Sequence, residues 1–509
     1  MPNLKYFSLP LLFCLLLSCK DKDSNDNNKQ IALVEESPKE IVIIFNNAPE
    51  QQVISAPSGA GFSTFFKDIG FFYDHSDTKT VSPKRSTPND TIIIEPKDDK
   101  IELNLENGKY DFFTFLLKKG DTITINYDGI TPIASSKSYH YIDLNFDSYL
   151  NEKLEYDYSE KIKFLHPLPF MSFIDKKDSR DYKTRFKEFK SKNGELMLKR
   201  LNDEQKLIDS LYKSGNLSEL SYNYRNNRIK LYTQHYNIEH DSLSNAEIDS
   251  LLFNSDDKLH VKIYRDLLTK LISVRYRLRS INGDNKFYGK DNKQAFDSIL
   301  NSKKIGQKTK DYLLHENLKL INQNFTQEDF KHYYALFASN VNNPSMIENI
   351  KQKFLIDYEE LRKETNNVIL TDLNNSKKYL DTIITSNKGK LIYVDFWASW
   401  CAPCIAAMPD SRRLQKEFRE DNIVFMYISI DKDLDKWKKA SQSEGLINYD
   451  NSYLSINYPA AKFYERLKMN TIPRYLLYDH NGNLIYQNAP SPTSKDIRNV
   501  IKKHLSEIN

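Results

Sequence analysis

A strand that runs straight into a Cys-x-x-Cys pair and then into a helix constrains this chain more than any other feature. Residues 391–400, Leu-Ile-Tyr-Val-Asp-Phe-Trp-Ala-Ser-Trp, open with an apolar run suited to a strand covered on both faces. Cys401-Ala402-Pro403-Cys404 follows at once, and helix-forming residues continue from Ile405. Two thiols at that spacing, where a strand becomes a helix, make a redox dithiol. The unpaired backbone N–H groups and the dipole at the helix N-terminus stabilise a thiolate. The chain has four cysteines, and the other two, Cys14 and Cys19, lie in an N-terminal apolar segment. The rival reading, a zinc knuckle, lacks ligands: there is no second cysteine pair and no histidine pair nearby in sequence.

Residues 1–18 carry Lys5 and then Leu9, Leu11, Leu12, Phe13, Leu15, Leu16 and Leu17. That is a secretory signal in length and pattern, too short to span a bilayer as a stable helix. Its end, Leu16-Leu17-Ser18-Cys19, resembles a bacterial lipoprotein lipobox, which implies that Cys19 becomes the lipidated first residue of the mature chain. Residues 19–38 open with a polar run and are expected to be a flexible tether. The expected location is the cell envelope, lipid-anchored to a membrane and facing the periplasm. An acidic stretch after the cysteine also resembles signals for the outer-membrane cell surface, although Lys20 and Lys22 interrupt it.

At 509 residues the chain is too long for one ordinary domain. Its net charge of +4 comes from mixed signs without a basic stripe, so no nucleic-acid partner is expected. Residues 39–135 predict a small antiparallel β-domain of sandwich type. Ile41–Phe45, Thr91–Ile94, Ile101–Leu105, Phe112–Leu117 and Thr122–Tyr127 are its strands, separated by turn residues. Residues 136–365 predict a mostly α-helical domain. Leu267, Leu271, Val274 and Leu278 recur along one helix face, and Leu207, Ile208 and Leu211 along another. Thr326-Gln-Glu-Asp329 predicts a capping box that opens a helix burying Phe330, Tyr334 and Phe337.

From 366 to 509 the pattern is α/β. Val368–Leu373 and Lys378–Leu380 predict a hairpin before strand 391–397, helix 402–419 and strand 423–430. Helical stretches near 434–440 and 460–467 come next, and strands 475–478 and 484–486 pair across Asn481-Gly482 before a last helix, 494–505. The β-α-β order, the Trp-Cys-x-Pro-Cys motif and this late hairpin resemble the thioredoxin fold. The added hairpin and the insert after Ile430 are similar to its exported TlpA/ResA-like branch. The resemblance covers a little over a quarter of the chain.

That resemblance implies dithiol–disulfide exchange. Cys401 is the expected nucleophile, attacking a protein disulfide, and Cys404, one turn on, the resolving thiol. Asp395 matches the buried acid of thioredoxin, where exported relatives often carry Asn, and is expected to take the proton from Cys404. Its rival reading is a strand-end acid satisfied by backbone or lysine. Ile472-Pro473 resembles the family's cis-proline loop, whose backbone pairs with a substrate strand. Trp400 is expected to form an apolar docking surface, while Trp397 is as suited to the core. Pro409 is expected to kink the active-site helix.

Ala402 and Pro403 tune the potential. Neither adds the donor or charge that a histidine between the cysteines would supply, so the pair is expected nearer to thioredoxin's about −270 mV than to about −120 mV. The sequence thus predicts a lipid-anchored reductant fed by a membrane thiol-relay electron donor. No P-loop, Gly-x-Gly-x-x-Gly or metal-binding histidine spacing occurs, so no cofactor and no metal are expected. A thiol peroxidase on the same fold would need Pro and Thr where Val394 and Ala398 stand. The alternative of another class is an envelope binding lipoprotein in which residues 39–365 capture a partner.

Overall fold

The computed structural model of the protein describes residues 40–508, apart from internal segments of which the longest are 82–89, 155–181 and 280–289. The expected signal, tether and Cys19 lie outside the described residues. Strands β1 (Ile41–Phe45), β2 (Gln52–Ser55), β3 (Gly61–Thr64), β4 (Ile69–Tyr73) and β5 (Asp77–Val81) come first. Then follow β6 (Asp90–Ile94), β7 (Lys100–Asn107), β8 (Asp111–Lys118), β9 (Thr122–Asp128) and β10 (Thr131–Ser135). They form sheets ordered β10-β9-β1-β6 and β5-β4-β7-β8, with β2 and β3 paired to each other. One pairing departs from the expected antiparallel pattern: β1 runs parallel to β9, with Val42 opposite Thr122 and Phe45 opposite Ile125. A parallel pair needs a long crossover, and the chain builds β2 to β8 in between.

Alternation along β8 feeds two cores. Phe113, Phe115 and Leu117 pack with Ile41, Ile43 and Ile123 between the sheets, while Leu116 joins the core of the helices that follow. Those are α1 (Tyr141–Leu154), α2 (Tyr182–Lys213), α3 (Glu219–Glu239), α4 (Asn245–Phe253) and α5 (Lys262–Arg275). Beyond them come α6 (Asn292–Asn301), α7 (Gln307–Asn324), α8 (Gln327–Asn340) and α9 (Pro344–Phe354). Thr326 and Asp329 form the capping box that starts α8.

Two expected core positions differ. Val274 is exposed, because the buried face of α5 centres on Tyr264, Leu268 and Leu271, about a quarter turn away. On α8 it is Tyr333 that is buried with Phe330 and Phe337, with Tyr334 at the flank.

Buried charges weld the β-strands to the helices. Asp147 on α1 accepts the Arg225 guanidinium of α3 at 2.7 Å and the backbone N–H of Thr114 on β8 at 2.8 Å. Glu102 on β7 accepts the Tyr224 hydroxyl at 2.9 Å and the backbone N–H of Lys262.

The C-terminal part begins with α10 (Tyr358–Lys363), whose Tyr358 and Leu361 already belong to its core. Then come β11 (Ile369–Thr371), β12 (Lys377–Tyr379), α11 (Leu380–Ser386), β13 (Leu391–Trp397), α12 (Ala402–Glu417) and β14 (Ile423–Ser429). The chain continues through α13 (Leu434–Ser443), β15 (Ser452–Ser455), α14 (Lys462–Arg466), β16 (Arg474–Tyr478), β17 (Leu484–Tyr486) and α15 (Asp496–Leu505). The strand order is β12-β11-β15-β14-β13-β16-β17, which puts β13 in the interior of the sheet. Gly482, at φ 85°, makes the turn between β16 and β17 that a side chain would strain. Among the described residues no helix is long and apolar enough to cross a membrane.

Candidate active site

All seven residues of β13 are buried, between the parallel neighbour β14 and the antiparallel neighbour β16. The strand therefore delivers the segment after Trp397 to a fixed place. Asp431, just past β14, fastens that segment. It accepts the Ser399 backbone N–H at 2.8 Å, the Ser399 hydroxyl at 2.7 Å and the Ser429 hydroxyl at 2.7 Å. Ile430 N–H donates to the Trp397 carbonyl at 2.9 Å and closes the same corner.

Cys401 is the N-cap of α12, and its Sγ accepts the backbone N–H of Cys404 at 3.3 Å. A sulfur in that position lies at the positive end of the helix, which favours its thiolate once the bond is reduced. Cys401 and Cys404 are joined as a disulfide with Cα atoms 5.3 Å apart. Both are buried, at 4% and 2% exposure, while Ala402 and Pro403 between them face solvent. Pro403 stands in the first turn, where its missing N–H breaks no helical bond.

The buried face of α12 runs through Cys404, Ala407, Met408, Ser411 and Leu414. Under it lies Asp395, fully enclosed. Its cross-strand neighbours are Tyr427 and Tyr475, and its carboxylate accepts the Ser411 hydroxyl at 3.5 Å. Ser411 Oγ lies 3.1 Å from the Tyr427 hydroxyl. Burial pushes the Asp395 carboxyl up to about 7, and the Ser411 hydrogen bond, which favours the charged form, offsets only part of that. The side-chain donor that Asp395 meets is the Ser411 hydroxyl rather than a lysine ammonium.

The Ile472–Pro473 peptide bond is cis. Arg474, the next residue, lies opposite Phe396, so the cis peptide flanks the strand end from which the Cys401 segment departs. Trp400 is 66% exposed on this rim, whereas Trp397 is wholly buried and belongs to the core. Pro409 sits inside α12 on its exposed side. Arg474 turns inward and donates from Nη2 to the Leu467 carbonyl at 2.9 Å, and burial lowers its guanidinium pKa.

Sequence reasoning missed Asp431 and Ser411. Ser411 follows Cys404 by seven residues, two turns along one face, which is a usable signal once the helix is placed. Asp431 lies 32 residues from Ser399 and becomes readable only when β14 is known to lie beside β13. The second cis bond, Tyr458–Pro459, was not expected either.

Residues 389–484 match the family described as thioredoxin-like. The chain is 25% identical over 159 residues to the thiol-disulfide oxidoreductase ResA of Bacillus thuringiensis (strain Al Hakam) and, equally, to that of Bacillus anthracis. Each match covers 30% of this chain and 84% of the relative. A solved structure from Bacteroides vulgatus is 30% identical and covers 27% of this chain and 92% of its own, with a TM-score of 0.24.

Proposed function

We propose that this chain, which through its C-terminal domain is a TlpA/ResA-like thioredoxin-family thiol–disulfide oxidoreductase, acts as an exported, lipid-anchored reductant of protein disulfides. The observation that carries the chemistry is the Cys401–Cys404 pair at the N-terminus of α12, above a buried acid that titrates near neutrality. In the reduced chain, the Cys401 thiolate attacks one sulfur of a substrate disulfide. The substrate S–S bond breaks, its leaving sulfur takes a proton from solvent, and a mixed disulfide forms. Asp395, as carboxylate, accepts the Cys404 proton. Cys404 then attacks Cys401 Sγ and expels the second substrate sulfur, leaving the disulfide described above. Two electrons have passed to the substrate.

Regeneration takes two electrons from a membrane thiol relay. The exposed Trp400 and the backbone at Ile472 are the proposed docking edge for the substrate chain. The reducing direction rests on Ala402-Pro403, which adds no thiolate-stabilising donor. Export and anchoring rest on the segment ending Ser18-Cys19. Two assays test this reading. Full chain with a dithiol donor should reduce insulin disulfides, and Cys19→Ala should lose incorporation of labelled palmitate and leave the membrane fraction. Membrane association unchanged in Cys19→Ala would remove the anchor from the proposal.

A second reading, capture of a partner by the first 365 residues, has one observation in its favour. A cavity of about 590 Å³ opens between β7, α3 and the segment 256–261, with Asn223, Asn227 and His260 on its wall. A specific ligand retained by a Cys401→Ser, Cys404→Ser chain through that cavity would favour it.

A further inference from the structure

The chain leaves α14 through a left-handed turn, a place that glycine fills most easily. Here it is Lys468, at φ 50°. Its N–H donates to the Glu465 carbonyl at 2.9 Å, and the Met469 N–H to that of Tyr464 at 3.0 Å. A side chain in this conformation is disfavoured relative to glycine. What the lysine adds is a contact across domains: its Nζ lies 3.7 Å from the centre of the Phe354 ring at the end of α9. Beside it, Arg466 donates from Nη1 to the Gln352 carbonyl of the same helix at 3.3 Å. Phe354 is itself fixed, because with Met346 and Ile350 it forms the buried face of α9 within the helical core.

The segment held in this way carries the substrate edge of the redox site. The Leu467 carbonyl accepts Arg474 Nη2 at 2.9 Å, and the Tyr458 hydroxyl donates to the Met469 carbonyl at 3.0 Å. Arg474 follows Pro473, so the loop 467–474, with Ile472 and Pro473 inside it, is closed at its base. Leu467 and Met469 belong to the core of the C-terminal sheet, Phe354 to that of the helices. A cavity of about 370 Å³ leaves the seam open between them. Beside this opening, the Lys468 and Arg466 side chains tie the loop to α9, so a single substitution can loosen it.

We propose that the helical domain takes part in disulfide exchange by positioning the cis-proline loop, with Lys468 and Phe354 as positioning residues for a protein substrate. This rests on the reductase reading, in which the backbone at Ile472 pairs with the substrate chain. A small disulfide has no chain to pair, and its reduction is indifferent to the loop.

Lys468→Asn in the full chain tests this, since asparagine tolerates the left-handed backbone and removes the cation. With a dithiol donor, the KM for insulin should rise about threefold, the order of one exposed cation–π contact, with kcat held. Reduction of hydroxyethyl disulfide should stay at the wild-type rate. Phe354→Leu keeps the charge and the apolar bulk but removes the ring, and should reproduce the loss; Lys468→Arg should restore the insulin KM. An insulin KM unmoved in either Lys468→Asn or Phe354→Leu, or an equal loss on both disulfides, would overturn the proposal. Hydrogen exchange decides the same point without turnover. Amides of the loop 469–474 should exchange about threefold faster in Lys468→Asn, and those of β13 at the wild-type rate. Unchanged exchange in the loop would overturn the positioning even if wild type reduced no insulin. A loop effect in a chain that reduces neither disulfide would support the positioning and overturn the reductase reading alone.

Discussion

The chain buries acids in two places and treats them in opposite ways. In the seam between strands and helices, Asp147 and Glu102 are met by Arg225, by the Tyr224 hydroxyl and by backbone N–H groups at hydrogen-bonding distance. In the C-terminal sheet, Asp395 has one hydroxyl at 3.5 Å and a wall of tyrosines and apolar side chains. All three acids are almost fully out of water. The first kind is paired on every side named and serves as structural glue. The second is left so poorly compensated that burial lifts it to about 7, where it can give or take a proton at working pH. Burial alone therefore does not distinguish a structural acid from a reactive one; the partners do.

The largest expected effect localises the chemistry. Cys401→Ser should lower disulfide reduction by about 10⁴-fold or more, and Cys404→Ala should trap substrate as a mixed disulfide visible on non-reducing gels. Residual turnover in Cys401→Ser would break the comparison at its root.

Next comes the seam. Arg225→Met leaves the Asp147 charge without its 2.7 Å partner and should cost about 3–5 kcal/mol in denaturant unfolding. The potential of the Cys401–Cys404 pair should not move in that variant, because the two acids do different work.

Asp395→Asn should slow turnover by about 10²-fold through loss of the proton acceptor. Its effect on stability has the opposite sign. The folded chain holds the Asp395 proton from the ordinary 3.8 up to about 7, so more protons are bound folded than unfolded in that window, and stability falls as pH rises through it. Asn removes this loss, so the variant should gain on wild type by about 2–3 kcal/mol between pH 5 and pH 8. Parallel urea titrations at those two pH values check it; a variant less stable than wild type at pH 8 would place Asp395 with the structural acids.

The smallest effect sharpens the contrast. Ser411→Ala deletes the hydrogen bond that favours the charged form, so the Asp395 limb of the pH–rate profile should move up, by less than about one unit.

What could be read from the sequence follows the range of the interactions. The Cys401–Cys404 spacing, Asp395 in the preceding strand and the Thr326–Asp329 capping box are local patterns, fixed by helix and strand geometry. The cis bond at Pro473 was expected only through family resemblance. Ser452–Ser455 was not recognised as a strand, since two serines frame it and all four residues are buried, which leaves no alternation to read. The parallel pairing of β1 with β9, the Asp431 clamp on Ser399 and the Arg225–Asp147 pair all join segments far apart in sequence. Only packing brings them together, so no local signal marks them. Val274 failed for a subtler reason, a stripe read a quarter turn off the face that is buried.

The reduction potential of the Cys401–Cys404 pair in the full chain, measured by equilibration with dithiothreitol or glutathione, bears most directly on the proposed reductant. A value near or below about −250 mV is expected of a dithiol that passes electrons to protein disulfides. A value above about −180 mV would make the pair an oxidant or isomerase and contradict the role assigned to Ala402-Pro403.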